Sequence, residues 1–121
     1  MDFEAAIKNE KIRNVMKPRG IQVQSGATYG DVIEHLQDEE KFCAIVLDGK
    51  KVLGVFTERD ALRRGLLPQA DPDTPIDQLM TPNPITIRED DSVIQAIRLM
   101  DDGRYRHLPV VNDQKLSLIH I

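Results

Sequence analysis

The stretch GVFTERD, residues 54–60, sets a hydroxyl at Thr57 and a carboxylate at Asp60 three positions apart, directly after an apolar run. Thr57 stands where a helix N-cap belongs, and Asp60 where a capping box usually carries Glu or Gln. The pair can close off a helix, a role worth ~1 kcal/mol. It can also turn its oxygens toward a ligand, and the two uses are compatible. Other chemistry is absent from the sequence: it holds no Gly-rich phosphate loop, nucleophile elbow or paired-carboxylate site. His35 and His120 lack metal-ligand spacing with Cys43 or an acidic partner, so no metal site is expected. Cys43, in FCAIVL, reads as a small buried hydrophobe. No catalytic constellation is present, and an enzyme is not expected.

The elements that must position Thr57 and Asp60 follow from local pattern. KVLGVF before them is a strand, joined by a DGK turn to the apolar run FCAIVL; Asp-Gly between apolar runs is a hairpin signal. After them TERDALRRG is a helix, with Gly65 its expected C-terminal stop and Arg63 and Arg64 in its last turn, where cations are favoured.

This arrangement is part of a repeat. Met16-Lys17-Pro18 and Met80-Thr81-Pro82 stand 64 positions apart, and the same shift superposes an apolar pattern over some forty positions without a gap. Ile21 and Val23 fall on Ile85 and Ile87, Thr28 on Ser92, and CAIVL on HLPVV. Each copy reads as an extended piece (IQV, ITI), a Thr or Ser N-cap, an amphipathic helix with apolar residues at i, i+3, i+4 and i+7, and a buried strand. The order is β–α–β–β–α. KIRNVM and IDQLM are short helices leading into the two copies, and the acidic run around Glu89, Asp90 and Asp91 is a solvated turn before a helix N-terminus. The expected boundaries are 1–67 for the first copy, 68–75 for a proline-rich linker and 76–121 for the second. The fold class is α+β: two pseudo-symmetric β-α-β-β-α units packed through their sheets, the second lacking its final helix. Neither copy has two faces' worth of core, and clefts at the junction of such units are where ligands sit.

Bulk properties narrow the function. At 121 residues, 30% charged and 40% hydrophobic, the chain is long enough for one modest core. A net charge of −4 argues against nucleic acid as the main partner. No apolar run approaches the ~20 residues of a membrane span, and the acidic N-terminus MDFEAAIKNEK is not a secretory signal. A single cysteine excludes an internal disulfide. A cytoplasmic location is expected.

With these residues in view, the chain resembles a tandem pair of cystathionine-β-synthase (CBS) domains, a Bateman module, over roughly residues 11–116. VMKPRGIQV, LMTPNPITI, RYRHLPVV and GVFTERDALRR carry the likeness. The family hallmark is a Gly, two apolar residues, Ser or Thr, two variable residues and Asp, here Gly54 to Asp60. The resemblance implies a regulatory module that binds an adenosine-containing ligand (AMP, ADP, ATP or S-adenosylmethionine) in the cleft between the motifs, with no other cofactor required. It implies that Asp60 holds the ribose hydroxyls with Thr57 beside phosphate and ribose. It further implies that Asn83, Pro84 and Ile85 flank the base and that Arg106 and His107 reach the phosphates, with Arg59 and Arg104 as weaker candidates.

Physical chemistry agrees with that assignment. An ionised carboxylate accepts two hydroxyl hydrogen bonds strongly, a helix N-terminus suits phosphate, and Arg offers it a bidentate fork. The alternative that the resemblance admits is a ligand-independent interaction module that packs as a homodimer. The pattern departs from the family at the end of the chain. Leu118 stands where Gly54 stands, Ile121 where Thr57 stands, and the counterpart of Asp60 would be position 124. The expectation is a truncated second copy with an atypical tail from about Leu116 or Ser117, one complete ligand constellation at most, and uncovered apolar surface that favours association.

Overall fold

Strict alternation in Ile21-Gln22-Val23-Gln24, buried then exposed, makes an edge strand with one buried face, whereas Ala44 to Leu47 are buried throughout and form an inner strand with both faces buried. The computed structural model describes residues 9–15, 20–103, 107–111 and 116–120. The elements in chain order are α1 (Ile12–Val15), β1 (Ile21–Gln24), α2 (Tyr29–Glu39), β2 (Ala44–Asp48), β3 (Lys51–Phe56) and α3, which begins as Glu58–Asp60 and continues as a π-helix over Ala61–Leu66. A 3-10 turn (Ile76–Gln78) follows, then β4 (Thr81–Pro82), β5 (Ile87–Arg88), α4 (Val93–Gly103), β6 (His107–Val111) and β7 (Leu116–His120). The chain divides into two compact units, Arg19–Pro84 and Met1–Pro18 with Ile85–Ile121.

The first unit is a sheet in the order β1-β2-β3-β4, with β1 parallel to β2 and the other pairs antiparallel. The β2–β3 hairpin turns at Gly49 (φ 61), a conformation that a residue with a Cβ avoids. Gln24 clamps the turn by donating to the Gly49 carbonyl and accepting from its N–H. Helix α2 is capped by Thr28, whose hydroxyl accepts from Asp31 N–H. It buries Tyr29, Val32 and Leu36 against the sheet, where Tyr29 meets Phe56 edge to face at 6.3 Å. The helix ends on Glu40, a left-handed residue with φ 54. Glu40→Gly is therefore expected to stabilise the protein by roughly 0.5–1 kcal/mol, read as a higher urea midpoint with an unchanged slope.

The second unit is a three-stranded sheet, β5-β6-β7, with α4 packed on it through Ala96 and Met100. The expected Ser92 cap is present, its hydroxyl accepting from Gln95 N–H at 3.2 Å. Within the acidic run, Asp90 pairs with Arg13 at 2.7 Å and Asp91 accepts from Arg88 N–H. The tail expected to be atypical forms β7, which pairs antiparallel with β6 from Val111↔Leu116 to His107↔His120.

The 64-residue repeat reappears as matching contacts. Ile76 donates its N–H to Ala27 O at 2.7 Å, and Ile12, 64 positions earlier, donates to Asp91 O at 2.9 Å. Tyr29 N–H to Thr74 O is likewise matched by Val93 N–H to Glu10 O. Ile76 is fully buried in the core of the first unit and Ile12 in that of the second. Each lead-in segment thus completes the core of the copy it does not precede in sequence. The proline-rich stretch 68–75 is bonded to the start of α2, since Gly30 N–H also donates to Pro72 O.

Three local expectations differ from the structure. IDQLM forms only a single 3-10 turn. The extended piece ITI pairs only from Ile87 onward, where β5 joins β6 through Ile87↔Val110. Gly65 does not stop its helix. It lies inside the π-helical stretch, where a Cβ would come within 2.6 Å of the Tyr29 hydroxyl, so its role is close packing.

Asp77 ties the 3-10 turn to the end of β1: Ser25 Oγ donates to one carboxylate oxygen and Gly26 N–H to the other at 2.8 Å. Burial works to raise its pKa, but the bonds from Ser25, Gly26 and its own N–H outweigh it and hold the carboxyl below the usual value. A depressed folded pKa adds stability above the unfolded value, and this is lost as pH falls through the folded one. The urea midpoint is expected to fall as pH drops below about 4, and Asp77→Asn to lower it at neutral pH while flattening that acid limb.

Candidate functional site

Strand β3 delivers Phe56 into the core with no exposed surface, and the chain turns at Thr57 (φ −102, ψ 172) straight into α3. The capping box suggested by the sequence is complete. Thr57 N–H donates to Asp60 Oδ2 at 3.0 Å, the Thr57 hydroxyl donates to the same oxygen at 3.1 Å, and Asp60 N–H donates to Thr57 Oγ1 at 3.3 Å. The shorter Asp side chain therefore does what Glu or Gln does elsewhere.

Asp60 is 6% exposed, and it is the only buried charged residue among the described residues. A buried carboxylate is costly unless it is hydrogen-bonded. Its remaining oxygen, Oδ1, accepts from the Thr81 hydroxyl at 3.0 Å. Thr81 belongs to β4, which pairs with β3 through Val55↔Thr81 and Gly54↔Pro82.

Gly54 makes this approach possible, since a Cβ there would lie 2.5 Å from Met80 Sδ and 2.7 Å from the Thr81 carbonyl oxygen. Arg64 secures the same segment from α3 by donating to Met80 O at 2.6 Å, and Asn83 N–H donates to Leu53 O at 2.9 Å. Asn83 itself is left-handed (φ 52), a conformation that Asn tolerates, and it turns the chain out of β4.

The residues singled out in the sequence are thus placed as follows. Thr57 and Asp60 are in direct contact. Arg59 is exposed on the first turn of α3. Asn83 and Pro84 follow β4 in the same unit, while Ile85, 41% exposed, opens the other. His107 is the first residue of β6. Arg104 and Arg106 lie outside the described residues.

Sequence reasoning missed Thr81 and Arg64 as members of the site. Both act across 15 or more positions, beyond the reach of any local pattern. Chemically, the site is one ionisable carboxylate held by two threonine hydroxyls and a backbone N–H at a strand-to-helix junction.

Comparison with known proteins shows a matching family and fold. The model of the CBS domain family matches residues 12–66 and 70–121. CBSCBSPB1, a CBS domain-containing protein of Arabidopsis thaliana, is 28% identical over 95 residues, 78% of this chain and 18% of that protein. The chain spans about a fifth of the length of the curated relatives it matches first. Among solved structures, CBSX2 in complex with AMP superposes with a TM-score of 0.70 at 25% identity, covering 92% of this chain and 87% of that one. The cytosolic domain of the Mg2+ channel MgtE in complex with ATP superposes with a TM-score of 0.75 at 25% identity, covering 96% of this chain and 48% of that one.

Proposed function

Since the chain belongs to the CBS domain family, with two such domains in tandem, we propose that it is a regulatory module that binds an adenine nucleotide, with the ribose on Asp60. The observation that carries this reading is the buried Asp60 carboxylate, presented at the end of β3 beside the Thr57 and Thr81 hydroxyls. A vicinal diol is the natural donor for such a carboxylate. Two structures of the same fold, at 25% identity, hold AMP and ATP. In this reading Thr57 lies beside ribose and phosphate, Asn83, Pro84 and Ile85 flank the base, and Arg106 and His107 serve the phosphates with Arg59 in support.

AMP, ADP and ATP are the expected ligands. S-adenosylmethionine shares their adenosine and is the natural fourth compound to compare. The module is regulatory and not catalytic in this reading, and its location is cytoplasmic. Among the described residues no helix is long and apolar enough to cross a membrane. Ligand would act by favouring one arrangement of the module over another, by no more than its differential affinity for the two.

A second reading, self-association without ligand, draws on Leu62, Leu66 and Leu67, which are 50%, 64% and 71% exposed along and just after α3. Contiguous exposed apolar residues mark association surfaces. Calorimetric titration of the four compounds, paired with sedimentation of wild type and Asp60→Ala, separates the readings. Nucleotide binding that Asp60→Ala removes supports the first. Unchanged association with no heat from any compound supports the second.

A further inference from the structure

Asp60 has too few free lone pairs for the task just assigned to it. An ionised carboxylate offers about four acceptor directions on its two oxygens. Three are taken: Oδ2 accepts from Thr57 N–H and from the Thr57 hydroxyl, and Oδ1 accepts from the Thr81 hydroxyl. A ribose diol brings two O–H donors, so one existing bond has to give way.

The bonds from Thr57 are local to the capping box, three residues apart, and hold the start of α3. The bond from Thr81 spans 21 positions and joins α3 to β4. The backbone of β4 has independent anchors in its ladder with β3, the Arg64 bond to Met80 O and the Asn83 bond to Leu53 O. The Thr81 side chain is exposed at the strand end, so its hydroxyl can turn to water when it leaves Asp60. It is the donor whose release costs the fold least.

We propose that the Thr81–Asp60 hydrogen bond is a latch that competes with the ribose diol, so that Thr81 sets the affinity of the site and links its occupancy to β4. The proposal rests on the nucleotide reading above.

The test is calorimetry of AMP binding to wild type, Thr81→Val and Thr81→Ser, with amide exchange at Asn83 followed in each. Thr81→Val removes the competing donor while keeping the branched shape, and is expected to tighten AMP binding roughly tenfold, the worth of a hydrogen bond to a charged group less its replacement by water. Thr81→Ser restores the donor and is expected to return the affinity toward the wild-type value. Slow exchange at Asn83 in all three shows β4 still docked.

Equal or weaker binding by Thr81→Val overturns the latch and leaves the nucleotide reading standing. Fast exchange at Asn83 in Thr81→Val makes Thr81 a structural pin, and overturns the latch as well. Absence of AMP binding by every folded form refutes the nucleotide reading and the latch with it.

Discussion

Replacing Asp60 by alanine is expected to weaken adenine-nucleotide binding at least about a hundredfold and to destabilise the protein by roughly 2–4 kcal/mol. Both effects come from one carboxylate. For the ligand, the proposed reading makes Asp60 the acceptor for two ribose hydroxyls, and bonds to an ionised group are the strong kind. For the fold, its two oxygens satisfy the Thr57 N–H and the Thr57 and Thr81 hydroxyls in a site only 6% exposed. Truncation removes all three bonds at once and leaves the half-buried Thr57 N–H and hydroxyl without their capping partner, while the exposed Thr81 hydroxyl turns to water. Asp60→Asn separates the two contributions, because an amide oxygen keeps one acceptor. It is expected to retain more stability than alanine while still losing most of the affinity. Binding is read by calorimetry and stability by urea denaturation. Retained affinity in folded Asp60→Ala would return the Thr57–Asp60 pair to the role of a cap.

The second large effect is expected at Gly65, where alanine should cost roughly 1–3 kcal/mol of stability. A Cβ there would meet the Tyr29 hydroxyl, Cζ and Cε1 between 2.6 and 2.8 Å. Tyr29 has little room to retreat, since it is 8% exposed with its ring against Phe56. Helix propensity works the other way, favouring alanine over glycine by ~1 kcal/mol, and the packing term is expected to win. Trimming the ring is expected to relieve the clash, so Tyr29→Leu with Gly65→Ala should be less destabilised than the two single losses predict. The urea midpoints of the four forms give that coupling directly. A stabilised Gly65→Ala would show that the ring swings aside and that the glycine is dispensable.

These two positions also show what could be read from sequence alone. Thr57 and Asp60 were legible because a capping box is a local pattern at fixed spacing, and the apolar run before it and the helical pattern after it placed it at a strand-to-helix junction. The N-caps Thr28 and Ser92 and the turn at Gly49 were legible for the same reason. Gly65 was misread because glycine near a helix end has two explanations, and only the position of Tyr29, 36 residues earlier, distinguishes a stop from a close contact.

The exchange of lead-in segments was hidden as well. The period relates Ile12 to Ile76 but does not say which copy's core each enters. The contacts of Thr81 and Arg64 escaped notice because their partners lie on another element. A repeat thus reveals what each copy builds locally, while the contacts that join its elements depend on the fold.

The most direct measurement is a calorimetric cycle: AMP and 2′,3′-dideoxy-AMP, each titrated into wild type and into Asp60→Asn. If Asp60 holds the ribose diol, removing the hydroxyls is expected to weaken binding to wild type by roughly 10–150-fold, the range for hydrogen bonds to a charged group. The same removal should matter far less in Asp60→Asn. An equal loss in both proteins, or no loss in wild type, would contradict the assignment of ribose to Asp60.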